Sequence, residues 1–207
     1  MTRSAMTRIV LVRHGHVEGI SPERFRGRRD VDLSALGARQ AQAAAQRIAA
    51  TWHPVALYTS PLKRCLQTAA PVAAACRITP TVLDDLDDVD YGEWEWLTHD
   101  EARAGWPALF ELWFAAPQLV RFPKGDSLQD VVARVANVLR MACQRHAGET
   151  VVIVGHSIGN RALLLQTLDQ PLSAYWRLGQ DPCSISEIEI EGHATTVKRL
   201  NETCSPD

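Results

Sequence analysis

Short runs rich in β-branched residues alternate along this chain with longer stretches of helical periodicity. Helical spacing of apolar residues marks residues 34–52, 128–142 and 157–168. Strands separated by helices predict an α/β fold of three layers, in which a mainly parallel central sheet with an antiparallel edge strand lies between two layers of helices. The runs that predict strands are TRIVLVR (7–13), PVALYTS (54–60), ITPTVL (78–83), TVVIVG (150–155), ISEIEIE (185–191) and TTVKRL (195–200).

Local signals place the ends of several helices. Ser34 is the expected N-cap of the first helix, and Asp126 with Gln129 is a candidate capping box for the long helix that follows it. The segment PLKRCLQTAAPVAAAC (61–76) predicts a helix that Pro71 should kink or break, because proline removes a backbone donor.

Composition limits the classes of function. The chain of 207 residues suits one domain over 1–207, with a cap-like insertion at about 84–125 that holds four of the six tryptophans. A formal charge of −2 gives no reason to expect nucleic acid or membrane partners. No run approaches the roughly 18 apolar residues of a membrane span, and MTRSAMTR is too short and polar for a secretory signal. Five scattered cysteines predict reduced thiols and a cytoplasmic location.

Four basic side chains follow the ends of predicted parallel strands. Arg13 and His14 come directly after the first strand, Arg64 lies just after the second, and His156 follows the TVVIV strand. Ligands of such sheets bind beyond the carboxyl ends of the strands. Two arginines and two histidines gathered there would form a cationic pocket that suits phosphate.

The pentapeptide GHSIG (155–159) supports a different enzyme. It fits the G-x-S-x-G nucleophile elbow of serine hydrolases, with Ser157 as nucleophile. That mechanism needs a histidine and an acid later in the chain. Only His193 follows, in the expected hairpin turn EGHATT, and the nearest acids are Asp169 and Asp181. A serine hydrolase therefore stays as an alternative.

Six segments in order resemble those of the histidine phosphatase superfamily, in the branch of the cofactor-dependent phosphoglycerate mutases. The resemblance implies a phosphoglycerate mutase-like fold and makes His14 the residue that is phosphorylated. It further makes Arg13, Arg64 and His156 phosphate ligands, Asp88 the proton donor, and Ser157 only an elbow residue. It implies neither a metal nor a cofactor. The segments are LVRHG (11–15), ERFRGRRDVDLSALGARQA (23–41), YTSPLKRCLQTA (58–69), LDDVDYGEWEW (86–96), FPKGDS (122–127) and VVIVGHS (151–157).

The chain also departs from the family pattern. His16 and Ile20 stand where an acid and an asparagine are usual, Trp96 replaces a glycine, and the donor is Asp88 rather than glutamate. Arg26 either adds charge beside the substrate or belongs to a solvated basic loop with its neighbours Arg24, Arg28 and Arg29. The residues expected to bind substrate are Arg26, Gly27, Ser157 and Trp94.

The resembling mutases carry a longer segment between the acid and the late long helix. The shorter segment here predicts easier water access and therefore a phosphatase that hydrolyses small phosphomonoesters, with phosphoglycerate mutase as the alternative. A magnesium site in the Asp-rich stretch 84–90 is a less favoured alternative to a solvated acidic loop with one catalytic member. The expected partner is a small phosphorylated metabolite, and a homodimer is left open.

Overall fold

A six-stranded sheet forms the centre of the protein in the computed structural model, which describes residues 5–18, 20 and 22–204. The order of strands across the sheet is β3-β2-β4-β1-β5-β6. β1 to β4 are parallel, whereas β5 is antiparallel to both β1 and β6. This confirms the predicted sheet, with its antiparallel pairing at one edge. The strands are β1 (Thr7–Arg13), β2 (Ala56–Thr59), β3 (Pro80–Val82), β4 (Thr150–Gly155), β5 (Ile185–Glu191) and β6 (Ala194–Glu202).

Helices cover both faces of the sheet. Short 3-10 helices lie at Asp84–Leu86, Gly92–Trp94, Pro117–Leu119 and Leu172–Arg177. Across the described part of the chain, no helix is long and apolar enough to cross a membrane. The α-helices are α1 (Ala35–Thr51), α2 (Lys63–Cys76), α3 (His99–Gly105), α4 (Pro107–Ala115), α5 (Leu128–Arg145) and α6 (Ser157–Thr167).

Each face of the sheet has its own apolar core, as the alternation of side chains along β1 requires. Val10 and Val12 belong to the core shared with α1 and α2. Ile9 and Leu11 belong to the larger core shared with α5 and α6. The predicted three-layer α/β/α architecture is therefore confirmed.

Pro71 does not interrupt its helix, and the expectation of a break was wrong. α2 continues without a gap to Cys76. Thr68, Ala69 and Val72, on either side of the proline, are all buried, and the helix packs along α1. Tertiary packing of this buried face offsets the loss of one backbone hydrogen bond.

The capping box of α5 lies one residue later than predicted. Ser127 is the N-cap, and the Asp130 carboxylate accepts hydrogen bonds from the backbone N–H of Ser127, 2.8 Å, and from its hydroxyl, 2.7 Å. Asp126 instead accepts hydrogen bonds from Arg28 and Arg134. The ion pairs of Asp126 with Arg28 and Arg134 engage its carboxylate, and Ser127 takes the N-cap position.

Two glycines bring the loop after β1 against the start of α1. A methyl group on Gly15 would lie 2.6 Å from the carbonyl oxygen of Gly37. A methyl group on Gly37 would overlap the carbonyl oxygen of His16. This close approach fixes the position of the loop that follows β1.

Gly37→Ala is expected to destabilise the protein by about 1–3 kcal/mol, the usual cost of overpacking a tight contact. Gly105→Ala is the matched control, because a methyl group there meets no atom within 4 Å. Urea unfolding of both variants checks this. Equal stability of the two would show that the loop moves freely away from α1.

Candidate active site

Three parallel strands end side by side and bring the basic residues together. Arg13 of β1 pairs with Gly155 of β4, and His14 and His156 follow these two residues directly. The imidazole centroids of His14 and His156 are 5.3 Å apart. Arg64 reaches the same place from the first turn of α2. The expected convergence of these four side chains is present.

The ring of His14 is held in one tautomer. Its Nδ1 lies 2.8 Å from the carbonyl oxygen of Gly15. A carbonyl can only accept, so Nδ1 carries the proton and Nε2 of the neutral ring keeps its lone pair. Burial, then the charges of Arg64 and Arg13, hold the pKa of His14 well below its ordinary value. His14 is therefore neutral near pH 7 and has a free nitrogen nucleophile.

Arg64 is the most constrained cation of the site. Its side chain is completely buried. Nη1 donates to the carbonyl oxygen of Arg29 at 2.8 Å, and Nη2 donates to that of Gly27 at 2.6 Å. Nη2 also donates to Oδ2 of Asp88 at 3.0 Å, and Nε donates to Nδ1 of His156 at 3.3 Å. Four partners fix the plane of the guanidinium group.

Asp88 links the buried Arg64 and His156 to the main cavity. Its Oδ2 lies 3.0 Å from Arg64 Nη2 and 3.3 Å from His156 Nδ1, and its side chain also lines the main cavity. The neighbouring Asp87 and Asp90 instead form ion pairs with Arg28. Among the five aspartates of 84–90, only Asp88 borders this cavity within the described part of the chain.

His156 is held from behind by the end of β2. Its Nε2 lies 2.8 Å from Oγ of Ser60, the residue after β2. Because Nδ1 accepts from Arg64, Nε2 carries the proton and donates to Ser60. Burial, with the charges of Arg64 and Arg13, holds the pKa of His156 well below its ordinary value.

Arg13 forms another wall of the cavity. Nη1 donates to the carbonyl oxygen of Gln180, and burial together with Arg26 and Arg161 lowers the pKa of Arg13 to about 10. The pKa of Arg13 is lowered because several cations lie close together in a site that is buried from water. An anion placed among them would be strongly stabilised.

The cavity in front of His14 measures about 190 Å³. Arg13, His14 and Asp88 line it, whereas Arg64 and His156 lie directly behind Asp88. Ligand pockets for drug-sized molecules measure roughly 300–1,000 Å³. This cavity therefore suits a substrate of few atoms.

Three of the four expected substrate-binding residues line this cavity, namely Arg26, Gly27 and Ser157. Trp94 does not, and that expectation is corrected. It is fully buried and packs on Phe25, Phe110 and Phe122. Trp94 thereby joins the segment 84–125 to the larger core of the sheet.

The basic loop divides between the two roles considered for it. Arg24 and Arg26 line the main cavity, whereas Arg28 and Arg29 are exposed. The guanidinium carbon of Arg29 lies 4.3 Å from the ring centroid of Trp96, which has a φ of 68°. Thus Trp96 occupies a conformation that favours glycine, and the guanidinium groups of Arg29 and Arg24 both lie over its ring.

His16, which stands where the family usually has an acid, forms a hydrogen bond with the start of α1. Its Nδ1 lies 2.8 Å from Oγ of Ser34, the N-cap of α1. His16 lines a neighbouring cavity with Trp96 and does not line the main one. Ile20 is half-buried and lines neither cavity.

Sequence reasoning missed several residues of the site. Ser60 and Thr68 lie inside the quoted segment YTSPLKRCLQTA, but their polar bonds depend on the fold. Arg161 lies four residues after Ser157, the spacing that places two side chains on one face of a helix, and this signal was available. Tyr175 and Trp176 come from the 3-10 helix at Leu172–Arg177, which has no periodic pattern of apolar residues to predict it.

The geometry does not provide a serine-hydrolase triad. Ser157 begins α6, whereas His193 lies in the β5–β6 hairpin and lines a separate cavity with Asp169. Within the described residues, no three His, Cys, Asp or Glu side chains are grouped in a way that could hold a metal ion.

Comparison with known proteins identifies the family of this chain. The family model "Histidine phosphatase superfamily (branch 1)" matches residues 9–203. Phosphoserine phosphatase 1 of Hydrogenobacter thermophilus is 35% identical over 199 residues, which is 96% of this chain and 94% of that protein. A metal-independent phosphoserine phosphatase of Arabidopsis thaliana is 32% identical over 166 residues, 79% of this chain and 69% of that protein.

A solved structure of a similar protein shares this fold. The structure of Bacillus stearothermophilus YhfR superposes with a TM-score of 0.88 at 31% identity, covering 96% of this chain and 98% of that one. The family match spans both the His14 and the His156 segments, and it favours the phosphatase over the serine hydrolase. The chain belongs to branch 1 of the histidine phosphatase superfamily, and it is a phosphomonoester hydrolase.

Proposed function

We propose that this chain hydrolyses O-phosphoserine, or a monoester of similar size, through a phosphohistidine at His14 and without a metal. The observation that supports it most is the neutral His14 ring, with Nδ1 bound to Gly15 and Nε2 free beside buried arginines. The names of the two phosphoserine phosphatases support the substrate, and one of them is named as metal-independent. The small cavity agrees with a short alcohol.

Binding of phosphate begins at the bonds of Asp88. In the free enzyme its Oδ2 accepts a hydrogen bond from Arg64 Nη2, as a phosphate oxygen would. An arriving phosphate group competes for this donor. The displaced Asp88 carboxylate then takes up a proton from solvent, which it needs for the chemical step.

The first chemical step transfers the phosphoryl group to His14. Nε2 of His14 forms a bond to phosphorus as the bond to the ester oxygen breaks. Protonated Asp88 gives its proton to the departing oxygen, so that the alcohol leaves neutral. Arg13 and Arg64 neutralise the charge that spreads over the three equatorial oxygens.

The second step returns the enzyme to its starting state. The Asp88 carboxylate takes a proton from water, and the water oxygen forms a bond to phosphorus. The phosphorus–Nε2 bond breaks, and its electron pair returns to the His14 ring. Inorganic phosphate leaves, and Asp88 releases its proton to solvent, which restores the carboxylate that binds Arg64. The same carboxyl group has acted first as acid and then as base.

We favour hydrolysis over mutase activity because the segment 84–125 is short. We assign it the role of a small cap that leaves water access to His14. The described cysteines are all free thiols, which supports a cytoplasmic location as part of the proposal. The proposed partner is a small phosphorylated metabolite.

Labelled O-phosphoserine followed by an alkaline quench is expected to leave acid-labile phosphate on His14. His14→Ala should lose both the label and turnover, because no other nitrogen takes its place.

Turnover should survive EDTA. Ser157→Ala is not expected to prevent labelling, and phosphorus NMR with 3-phosphoglycerate and 2,3-bisphosphoglycerate should show no rapid 2-phosphoglycerate. A label that persists in His14→Ala would refute the mechanism.

Asp88→Asn should lower kcat on alkyl phosphates by roughly 10²–10⁴, the usual effect of a missing general acid. The rate of His14 phosphorylation by p-nitrophenyl phosphate should fall much less, since p-nitrophenolate leaves without a proton. Stopped-flow and steady-state kinetics on both esters measure this. Asp90→Asn is the matched control. Equal losses on both esters would remove Asp88 from the role of acid.

Thr68 links the nucleophile to the phosphate-binding arginine. Its Oγ1 accepts a hydrogen bond from the backbone N–H of Gly15, 3.1 Å, and donates to the carbonyl oxygen of Arg64, 2.7 Å. The carbonyl of the same Gly15 orients the His14 ring. Thr68 thus holds the peptide that fixes the nucleophile.

Thr68→Val should slow His14 phosphorylation by roughly 10- to 100-fold, the order of effect of a small misplacement. Thr68→Ser, which keeps the hydroxyl, should restore most of the rate. Single-turnover rates and thermal unfolding are measured together. If Thr68→Ser is as slow as Thr68→Val, packing of the methyl group rather than the hydrogen bond is responsible.

A further inference from the structure

We infer that Arg161 forms a second anion site, which binds a carboxylate carried by the alcohol portion of the substrate. The inference rests on the proposed function in one respect, namely that the phosphate group binds at His14. It goes further by naming a charged group that the rest of the substrate must carry and the residue that selects it.

The position of Arg161 places it beyond the phosphate subsite but inside the same cavity. It lies one helical turn after Ser157 on α6, and both residues line the cavity with His14. Its charge is close enough to Arg13 to lower the pKa of that arginine. An anionic group next to the phosphate would therefore lie between two cations.

The guanidinium group of Arg161 is held in place rather than free to swing. Nε donates to the carbonyl oxygen of Leu178 at 2.7 Å, and Nη1 donates to the hydroxyl oxygen of Tyr175 at 3.4 Å. The guanidinium carbon lies 5.0 Å from the ring centroid of Tyr175 and 5.4 Å from that of Trp176. Two aromatic rings and a carbonyl give it a fixed plane at little further entropic cost on binding.

The platform beneath Arg161 is itself fixed. Trp176 donates from Nε1 to the carbonyl oxygen of Trp113 at 2.9 Å, and its ring stacks on Phe114 at 5.2 Å. All three of these aromatic residues line the cavity. Nη2 of Arg161 donates no hydrogen bond to any residue between 5 and 204 that the structure describes.

The balance of charge in the cavity favours an anion at this end. The two carboxylates that line it, Glu23 and Asp88, are outnumbered by four arginines, namely Arg13, Arg24, Arg26 and Arg161. Asp88 belongs to the phosphate subsite, where it contacts Arg64, and Glu23 lies 3.9 Å from His99. A planar carboxylate matches the planar fork of Arg161, and a cavity of about 190 Å³ favours it over a second phosphate group.

The test combines two substrates with one variant. O-phosphoethanolamine is O-phosphoserine without the carboxylate, so the ratio of their kcat/KM values isolates that group. Arg161→Met should reduce this ratio by about 10- to 100-fold, the range expected for a charge-assisted hydrogen bond. Most of the change should appear in KM for O-phosphoserine. Arg161→Lys, which keeps a charge without the fork, should give an intermediate ratio.

Arg177→Met is the matched control. Arg177 is exposed and belongs to the 3-10 helix Leu172–Arg177, which contains Tyr175 and Trp176. Its ratio should equal that of the unmodified enzyme. Circular dichroism and thermal unfolding confirm that each variant is folded, and Arg161→Lys stands in if Arg161→Met is not. A ratio that Arg161→Met or Arg161→Lys leaves unchanged, or equal losses on both substrates, would overturn the inference.

A second pair of substrates separates this inference from the proposed substrate. 3-Phosphoglycerate carries a carboxylate where glycerol 3-phosphate carries a hydroxymethyl group. If O-phosphoserine is not hydrolysed but the Arg161 variants change the ratio for this second pair, the proposed substrate fails and the carboxylate site stands. If the unmodified enzyme prefers the carboxylate in neither pair, the site itself is refuted.

Discussion

The buried guanidinium group of Arg64 is the interaction on which the site depends. It joins the loop that contains Gly27 and Arg29, the acid Asp88 and the histidine after β4 through four hydrogen bonds. These segments are far apart in sequence. A charge buried without partners is very costly, so folding must bring all of them to Arg64 together. Assembly of the fold and assembly of the phosphate subsite are therefore one event.

The same cations control both binding and reactivity. In the proposed mechanism Arg13 and Arg64 attract phosphate, and their charges also disfavour a proton on His14. A histidine in water would be partly protonated near pH 6.5, and an imidazolium is no nucleophile. The field that binds the substrate thus keeps its attacking nitrogen available. No separate base is needed to activate His14, because the Gly15 carbonyl already holds the only ring proton at Nδ1.

The sequence predicted those features that depend on local pattern. The strands and the four residues at their ends follow from short apolar runs and from the rule that parallel strands end at one edge. It failed where tertiary contacts decide. The partners of Asp126 shift the capping box to Ser127 and Asp130, and packing against α1 carries α2 through Pro71. No pattern in the chain distinguishes the buried Trp94 from a tryptophan beside the substrate.

Selectivity and chemistry come from different parts of the chain. His14 and His156 follow the ends of β1 and β4, and their positions are fixed by the hydrogen bonds of the central sheet. The wall that holds Arg161 comes from α6 and from Tyr175 and Trp176, which lie outside the sheet. Changes in this wall can alter which alcohol fits without moving His14 or Arg64. A fold built this way can keep one phosphoryl-transfer apparatus while the leaving group it accepts varies.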